Sequence, residues 1–240
     1  MDVGLGALVV ALTAILVGSI VQGSVGFGLN LLAAPFVALV VPEALPTSLV
    51  LVAFPLTIMM AIREHHGIDR STIPWLLVGA VPGTVVGLVI VSEVTGSDLA
   101  AVIGTVTLIG VALSIFSPPV PMNPTTSGIT GFLSNVFGTA ASIGGPPVGL
   151  LFQHHRAVVA RPTIAAFFAT SGLLSLIGYV AAGTIHTDQV LFALALAPAM
   201  ILGLWLSKHL HPFVDSGWLR PAVLTLSAIA GVAALIRGLA

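Results

Sequence analysis

Two stretches of this 240-residue chain set glycine breaks and neutral polar side chains inside otherwise apolar sequence. The first reads Gln22-Gly23-Ser24-Val25-Gly26-Phe27-Gly28, with Ser19 ahead of it and Asn30 just beyond. The second carries Ser134, Asn135, Gly138, Thr139 and Ser142, then Gly144-Gly145-Pro146-Pro147. Thr47, Ser48, Thr163, Thr170 and Ser171 lie on the segments that follow. Glycine lets a helix stop and turn, and a helix that restarts after a break points its positive end and free N–H groups at whatever lies there. Amides and hydroxyls add donors without formal charge, so the chemistry on offer is the holding of a small anion. Close helix packing accounts for any one Ser or Thr equally well. Gln22, Asn30 and Asn135 are stronger candidates, because an amide costs more to bury and each sits beside a break. The candidate binding set is Gln22, Gly23, Ser24, Gly26, Asn30, Thr47, Ser48, Asn135, Gly138, Ser142, Gly144, Gly145, Thr163 and Thr170.

The elements that must position these groups are membrane helices. Hydrophobic residues make up 57% of the chain and charged residues 6%, against about 25% charged in a soluble domain. A water-facing surface cannot be made from so few charges, so the outer surface faces lipid. The expected order is a broken hairpin over 5–41, plain helices over 46–62, 72–92 and 98–116, and a Pro-rich connector over 117–125. A second hairpin over 126–152 and helices over 163–182, 188–207 and 218–237 follow. The first apolar stretch has no basic n-region or A-x-A-type cleavage signal, so it is expected to stay as a membrane segment.

The second half, 126–240, repeats the first, 1–116. Pro46-Thr47, Pro82 and Gly87 match Pro162-Thr163, Pro198 and Gly203 at an offset of 116, while Gly26 and Pro35 match Gly138 and Pro147 at 112. A four-residue insertion in the 153–162 loop is expected to reconcile the two. Basic residues then choose a topology, because Lys and Arg favour the cytoplasmic side in short loops. If each broken segment crosses once, they divide three against four. If each is a hairpin leaving by the side it entered, Arg63, Arg70, Arg156, Arg161, Lys208 and Arg220 share one face, with only Arg237 opposite. The expectation is therefore an all-α integral membrane protein of two inverted repeats, each a broken re-entrant helical hairpin plus three transmembrane helices.

Within the expected spans Asp, Glu, Lys and Arg occur only in the end turns, as Asp98, Asp188, Arg220 and Arg237, so a buried carboxylate relay is absent and a cation would meet no fixed counter-charge at depth. A small anion is left by elimination. The paired His65-His66 and His154-His155, with His186, His209 and His211, lack the helical spacing and supporting carboxylates of a metal site. There is no Cys and no ATP-binding motif. No cofactor, metal or nucleic-acid partner is expected. Coupling to protons, sodium or the membrane potential stays open, as does oligomerisation, and so do two other classes, a passive anion channel and a His-metal membrane enzyme.

The segments GSVGFGLNLLAAPFVALVVPEALPTSLVL, GAVPGTVVG, GFLSNVFGTAASIGGPPVGLL and ARPTIAAFFATSG resemble the TauE/SafE family, also called sulfite exporter-like or four-toluene-sulfonate uptake transporters. The resemblance runs from about Gly18 to Gly231, and the two Gly-rich hairpins are its most specific parts. It implies a secondary transporter for sulfite, thiosulfate or an organosulfonate in the bacterial cytoplasmic membrane, commonly exporting. The first hairpin is less glycine-dense than in many members, which marks Asn30 as a residue for tuning the substrate.

Overall fold

The computed structural model describes residues 3–94, 97–118, 120–214 and 219–239, and everything they form is helix or short connection. Helices α1 (Leu5–Val25) and α2 (Leu29–Val40) lead through a 3-10 turn at Pro42–Ala44 to α3 (Thr47–Arg63). Helices α4 (Ile73–Glu93) and α5 (Ser97–Phe116) follow. Then come α6 (Pro124–Ala141), α7 (Gly145–Leu151), α8 (Ala157–Ala181), α9 (Thr187–Val214) and α10 (Leu219–Leu239). Six of them, α1, α4, α5, α8, α9 and α10, are long and apolar enough to cross a membrane. Their outer faces bear Val78, Val81, Val85, Val89, Leu194, Trp205 and Ile229, all exposed. Only lipid accommodates such a surface. The chain is an all-α, multi-pass membrane protein.

Pro119 of the expected connector and Trp218 of the expected last helix lie outside the described residues. The connector ends early, because Asn123 caps α6: its Oδ1 accepts from the Thr126 N–H at 2.9 Å while Thr126 Oγ1 accepts from the Asn123 N–H at 3.1 Å. Helix α8 starts six residues before the expected Thr163, running through Pro162. The Pro leaves the Val158 carbonyl without its helical donor, and Gly67, which has no Cβ, packs directly on that oxygen.

Both broken segments fold back on themselves. Gly26 closes α1 at φ 106° and Gly28 opens α2 at φ 120°, conformations that only glycine adopts without strain. Two turns back, Gly18 lies so near Leu29 that a Cβ would stand 2.7 Å from the Leu29 carbonyl oxygen. In the second segment the left-handed residue is Ser142, at φ 63°, and the chain returns until Gly144 packs on Ser134 and Gly138. Gly138 lies inside α6, where a helix tolerates it. The residue that turns the chain is Ser142, which follows Gly26 by 116 positions. That is also the offset from Pro46-Thr47 to Pro162-Thr163, whereas the expected match of Gly26 is Gly138.

Glycine faces let the helices approach. On α4, a Cβ at Gly79 would meet the Gly128 carbonyl oxygen at 1.8 Å, and one at Gly83 the Phe132 carbonyl oxygen at 2.4 Å. Spacing small residues by four places them on one helix face, so the backbones of α4 and α6 touch. Helices α1 and α9, likewise one from each half, make the matching contact, through Gly23 on Ser207 and Gly203 on Leu16. Directions follow from the same contacts. Ala101 meets Gly238 and Thr107 meets Gly231, so α5 and α10 run antiparallel; Phe54 meets Gly172 and Gly67 meets Val158, so α3 and α8 do too.

Candidate functional site: a cavity between two helix breaks

The two breaks meet around a cavity of about 80 Å³. Gln22, Gly28, Asn30 and Leu31 supply one wall, and Ser134, Asn135, Gly138, Ser142, Gly144 and Gly145 the wall opposite. Phe54 and Thr57 of α3 with Phe168, Ser171 and Ser175 of α8 close the sides. None of the lining residues is Asp, Glu, Lys, Arg or His.

Hydrogen bonding divides the polar groups into those that hold the walls together and those left facing a ligand. Ser134 donates to the Gly144 carbonyl at 2.6 Å, which pins the returning strand of the second hairpin to α6. Ser142 donates to the Pro46 carbonyl at 2.8 Å, tying that hairpin's tip to the start of α3. Asn135 gives its amide nitrogen to the Ala80 carbonyl at 3.2 Å and to the Thr84 hydroxyl, so its donors belong to the α4–α6 contact. Ser175 pairs with Thr139 at 2.8 Å, and the Tyr179 hydroxyl donates to the Thr139 carbonyl. Each of these bonds satisfies a polar group that would otherwise be costly in the bilayer.

The donors that remain cluster at α2. Gln22 Oε1 accepts from the Leu29 N–H at 3.1 Å, which fixes the side chain across the break and leaves its own amide N–H groups as donors. The N–H groups of Asn30 and Leu31, in the first turn of α2, have no intrahelical acceptor. Helix α7 differs, because Pro146 and Pro147 carry no N–H and only Gly145 offers one in that turn. The two helix starts are thus uneven: α2 supplies the donors and the positive dipole end, while α7 mainly supplies a glycine surface.

Of the sequence candidates, Gln22, Asn30, Asn135, Gly138, Ser142, Gly144 and Gly145 line the cavity. The seven others have different places. Gly23 lets α1 pack on Ser207, and Ser48 donates to the Gln189 carbonyl at 2.9 Å. Thr163 donates to the Val159 carbonyl and receives the Asp69 N–H at 2.9 Å. Thr170 bonds its own helix on the exposed face, and Thr47 is buried away from the cavity. Ser24 donates to the Ile20 carbonyl beside a second cavity, and Gly26 packs against Arg161. Membrane helices use hydroxyls to satisfy neighbouring carbonyls, which accounts for the Ser and Thr candidates that lie away from the cavity. Sequence reasoning passed over Phe27, Phe54, Thr57 and Ser175. Phe27 alone left a signal, since it stands between two glycines at the break.

At the tip of the first hairpin Arg161 Nη1 donates to the Ser24 carbonyl at 3.4 Å, and its Nε lies 3.3 Å from Glu64. A cation at the carbonyl end of α1 complements the helix dipole. Nearby, Asp69 accepts from the Ser71 hydroxyl at 2.6 Å and the Thr72 hydroxyl at 2.7 Å, and these bonds hold its carboxyl below its ordinary pKa. Among the described residues, no three His, Asp or Glu side chains converge as metal ligands would.

A bundle of membrane-crossing helices with a neutral, donor-lined cavity at two helix breaks defines a membrane transport protein. The family model described as Sulfite exporter TauE/SafE matches residues 10–234, and the chain belongs to that family. No curated protein and no solved structure matches it.

Proposed function

We propose that the protein is a secondary transporter for a small sulfur-containing oxyanion, carried through the cavity between the breaks. One observation carries this reading: a cavity of about 80 Å³ at the N-terminus of α2, lined by donors and by no ionised side chain. That volume holds roughly three waters at about 30 Å³ each, the scale of an anion with three or four oxygens. Free N–H groups at a helix start favour negative charge without a basic residue. Sulfite and thiosulfate fit these dimensions, and an organosulfonate would place its sulfonate head there.

In the membrane, each hairpin enters and leaves on one side and the halves are inverted. The antiparallel pairing of α5 with α10 and of α3 with α8 supports this, because single crossings would make both pairs parallel. Six of the seven basic residues then collect at one end, the cytoplasmic one by the positive-inside rule, with Arg237 at the other beside the Leu39 carbonyl. Export of a monoanion follows from the inside-negative potential, worth about 2.3 kcal/mol per charge at 100 mV. Helices of one half rocking against the other would expose the cavity to each side in turn.

The test is binding and flux on purified protein. Sulfite, thiosulfate, sulfoacetate, taurine and simple carboxylates are screened by thermal shift, and the best binder is followed into proteoliposomes. Stabilisation by a sulfur oxyanion with saturable counterflow is expected. Stabilisation by cations alone would overturn the anion reading, and unitary conductance would make the protein a channel.

A further inference from the structure

Beyond the central cavity lies a larger one of about 520 Å³. Its rim carries Gln153, His155 and Ala157, all exposed in the loop and helix start between α7 and α8, so it opens at the end that bears the basic loops. Three residues line both cavities: Phe27, Gly28 and Leu31. Gly28 has no side chain, and Leu31 is held in the core at 3% exposure. The body between the two spaces is therefore the ring of Phe27.

The surroundings of that ring are built for it. It lies along the glycine face of α7, where a Cβ on Gly145 would stand 2.7 Å from Cδ2 and one on Gly149 would stand 2.5 Å from Cε1 and Cζ. Two glycines one helical turn apart form a flat seat that any larger residue would fill. The residues on either side, Gly26 and Gly28, both hold positive φ, so Phe27 is carried on a joint with backbone freedom at each end. On its far side the joint is anchored, through the bond from Arg161 to the Ser24 carbonyl. The seat and the hinge come from opposite hairpins, so a movement of one half against the other changes the contact.

We propose that Phe27 is the inner gate and size filter of the transport path. Seated on Gly145 and Gly149, it closes the central cavity to the basic-loop side and limits cargo to what 80 Å³ admits. Lifted from that seat, it joins the two cavities and opens the way to the larger space. The gate rests on reading the central cavity as the cargo site, and its test is chosen to separate the two ideas.

The chain contains no Cys, so S171C places a single thiol on the cavity wall. In proteoliposomes the thiol is labelled by a membrane-impermeant methanethiosulfonate added from the basic-loop side, with Phe27 and with F27A. The labelling rate follows the fraction of time the path is open, and F27A is expected to raise it about tenfold or more. G149A, which leaves the ring intact but removes its seat, is expected to act in the same direction, and it serves if F27A folds poorly. Labelling rates within about twofold across all three proteins, or fast labelling with Phe27 in place, would overturn the gate. Protection of S171C by sulfoacetate, whose sulfonate does not react with the reagent, reads the cargo site independently. Its absence beside a clear F27A effect would sink the site and leave the gate standing.

Discussion

Replacing Gln22 with Glu tests the central physical claim, that neutral donors at the start of α2 hold the anion. The substitution keeps size, and its carboxylate can still accept the Leu29 N–H that Gln22 Oε1 accepts at 3.1 Å. An anion held by the N–H groups of Asn30 and Leu31 would sit about 5 Å from the new charge; at an effective dielectric of about 20 the repulsion is about 3 kcal/mol. Affinity should therefore fall roughly 150-fold. The unliganded protein should lose some stability, because the roughly 0.3–1 kcal/mol that a helix N-terminus gives a carboxylate only partly offsets the cost of burying the charge. Isothermal titration with sulfite measures the first quantity and thermal unfolding in detergent the second. Affinity should recover as pH falls and the introduced carboxyl is protonated, since the proton removes the repulsion. Sulfite binding by Gln22→Glu within about threefold of the parent protein, or about 0.7 kcal/mol, would refute the placement of the anion at α2.

Three further outcomes follow. Gly79→Ala, whose Cβ would stand 1.8 Å from the Gly128 carbonyl oxygen, should lower stability by about 1–3 kcal/mol or more, whereas Gly128→Ala, with nothing nearer than 3.8 Å, should be nearly neutral; melting curves in detergent compare them. Asp69 has a lowered folded-state pKa, chiefly from the Ser71 hydroxyl bond. Its stabilisation is therefore present above the unfolded carboxyl value of about 3.9 and lost as pH falls through the folded value. Melting temperature should drop on acidification in the parent protein and respond less in Asp69→Asn. Single cysteines at Glu43 and His154 should be labelled from opposite sides of the membrane, and labelling from one side would exclude the paired re-entrant hairpins.

Much of this was legible in the residues themselves. Fifteen charged side chains in 240 residues settle that the surface meets lipid, because hydration of a globular surface needs several times more. The Gly-rich stretch at 22–28 announces a break, since positive φ at Gly26 and Gly28 is a property of glycine before it is a property of any fold. The distribution of Lys and Arg favours one topology through loop position and charge, an expectation that the Glu43 and His154 labels test. These are local facts, and they survive without knowledge of neighbours.

Other features depended on what each group meets across the bundle. Ser142 turns the second hairpin because its hydroxyl finds the Pro46 carbonyl 96 positions away, whereas Gly138, the more obvious breaker, continues the helix. Asn135 looks as suitable a ligand as Gln22 until its amide nitrogen is found on Ala80 and Thr84 of α4. The weight of Phe27 becomes visible only when Gly145 and Gly149 arrive from the other half to receive its ring. A polar or aromatic side chain acquires a role from partners distant in the chain, and only the packed structure brings those partners within a few ångströms.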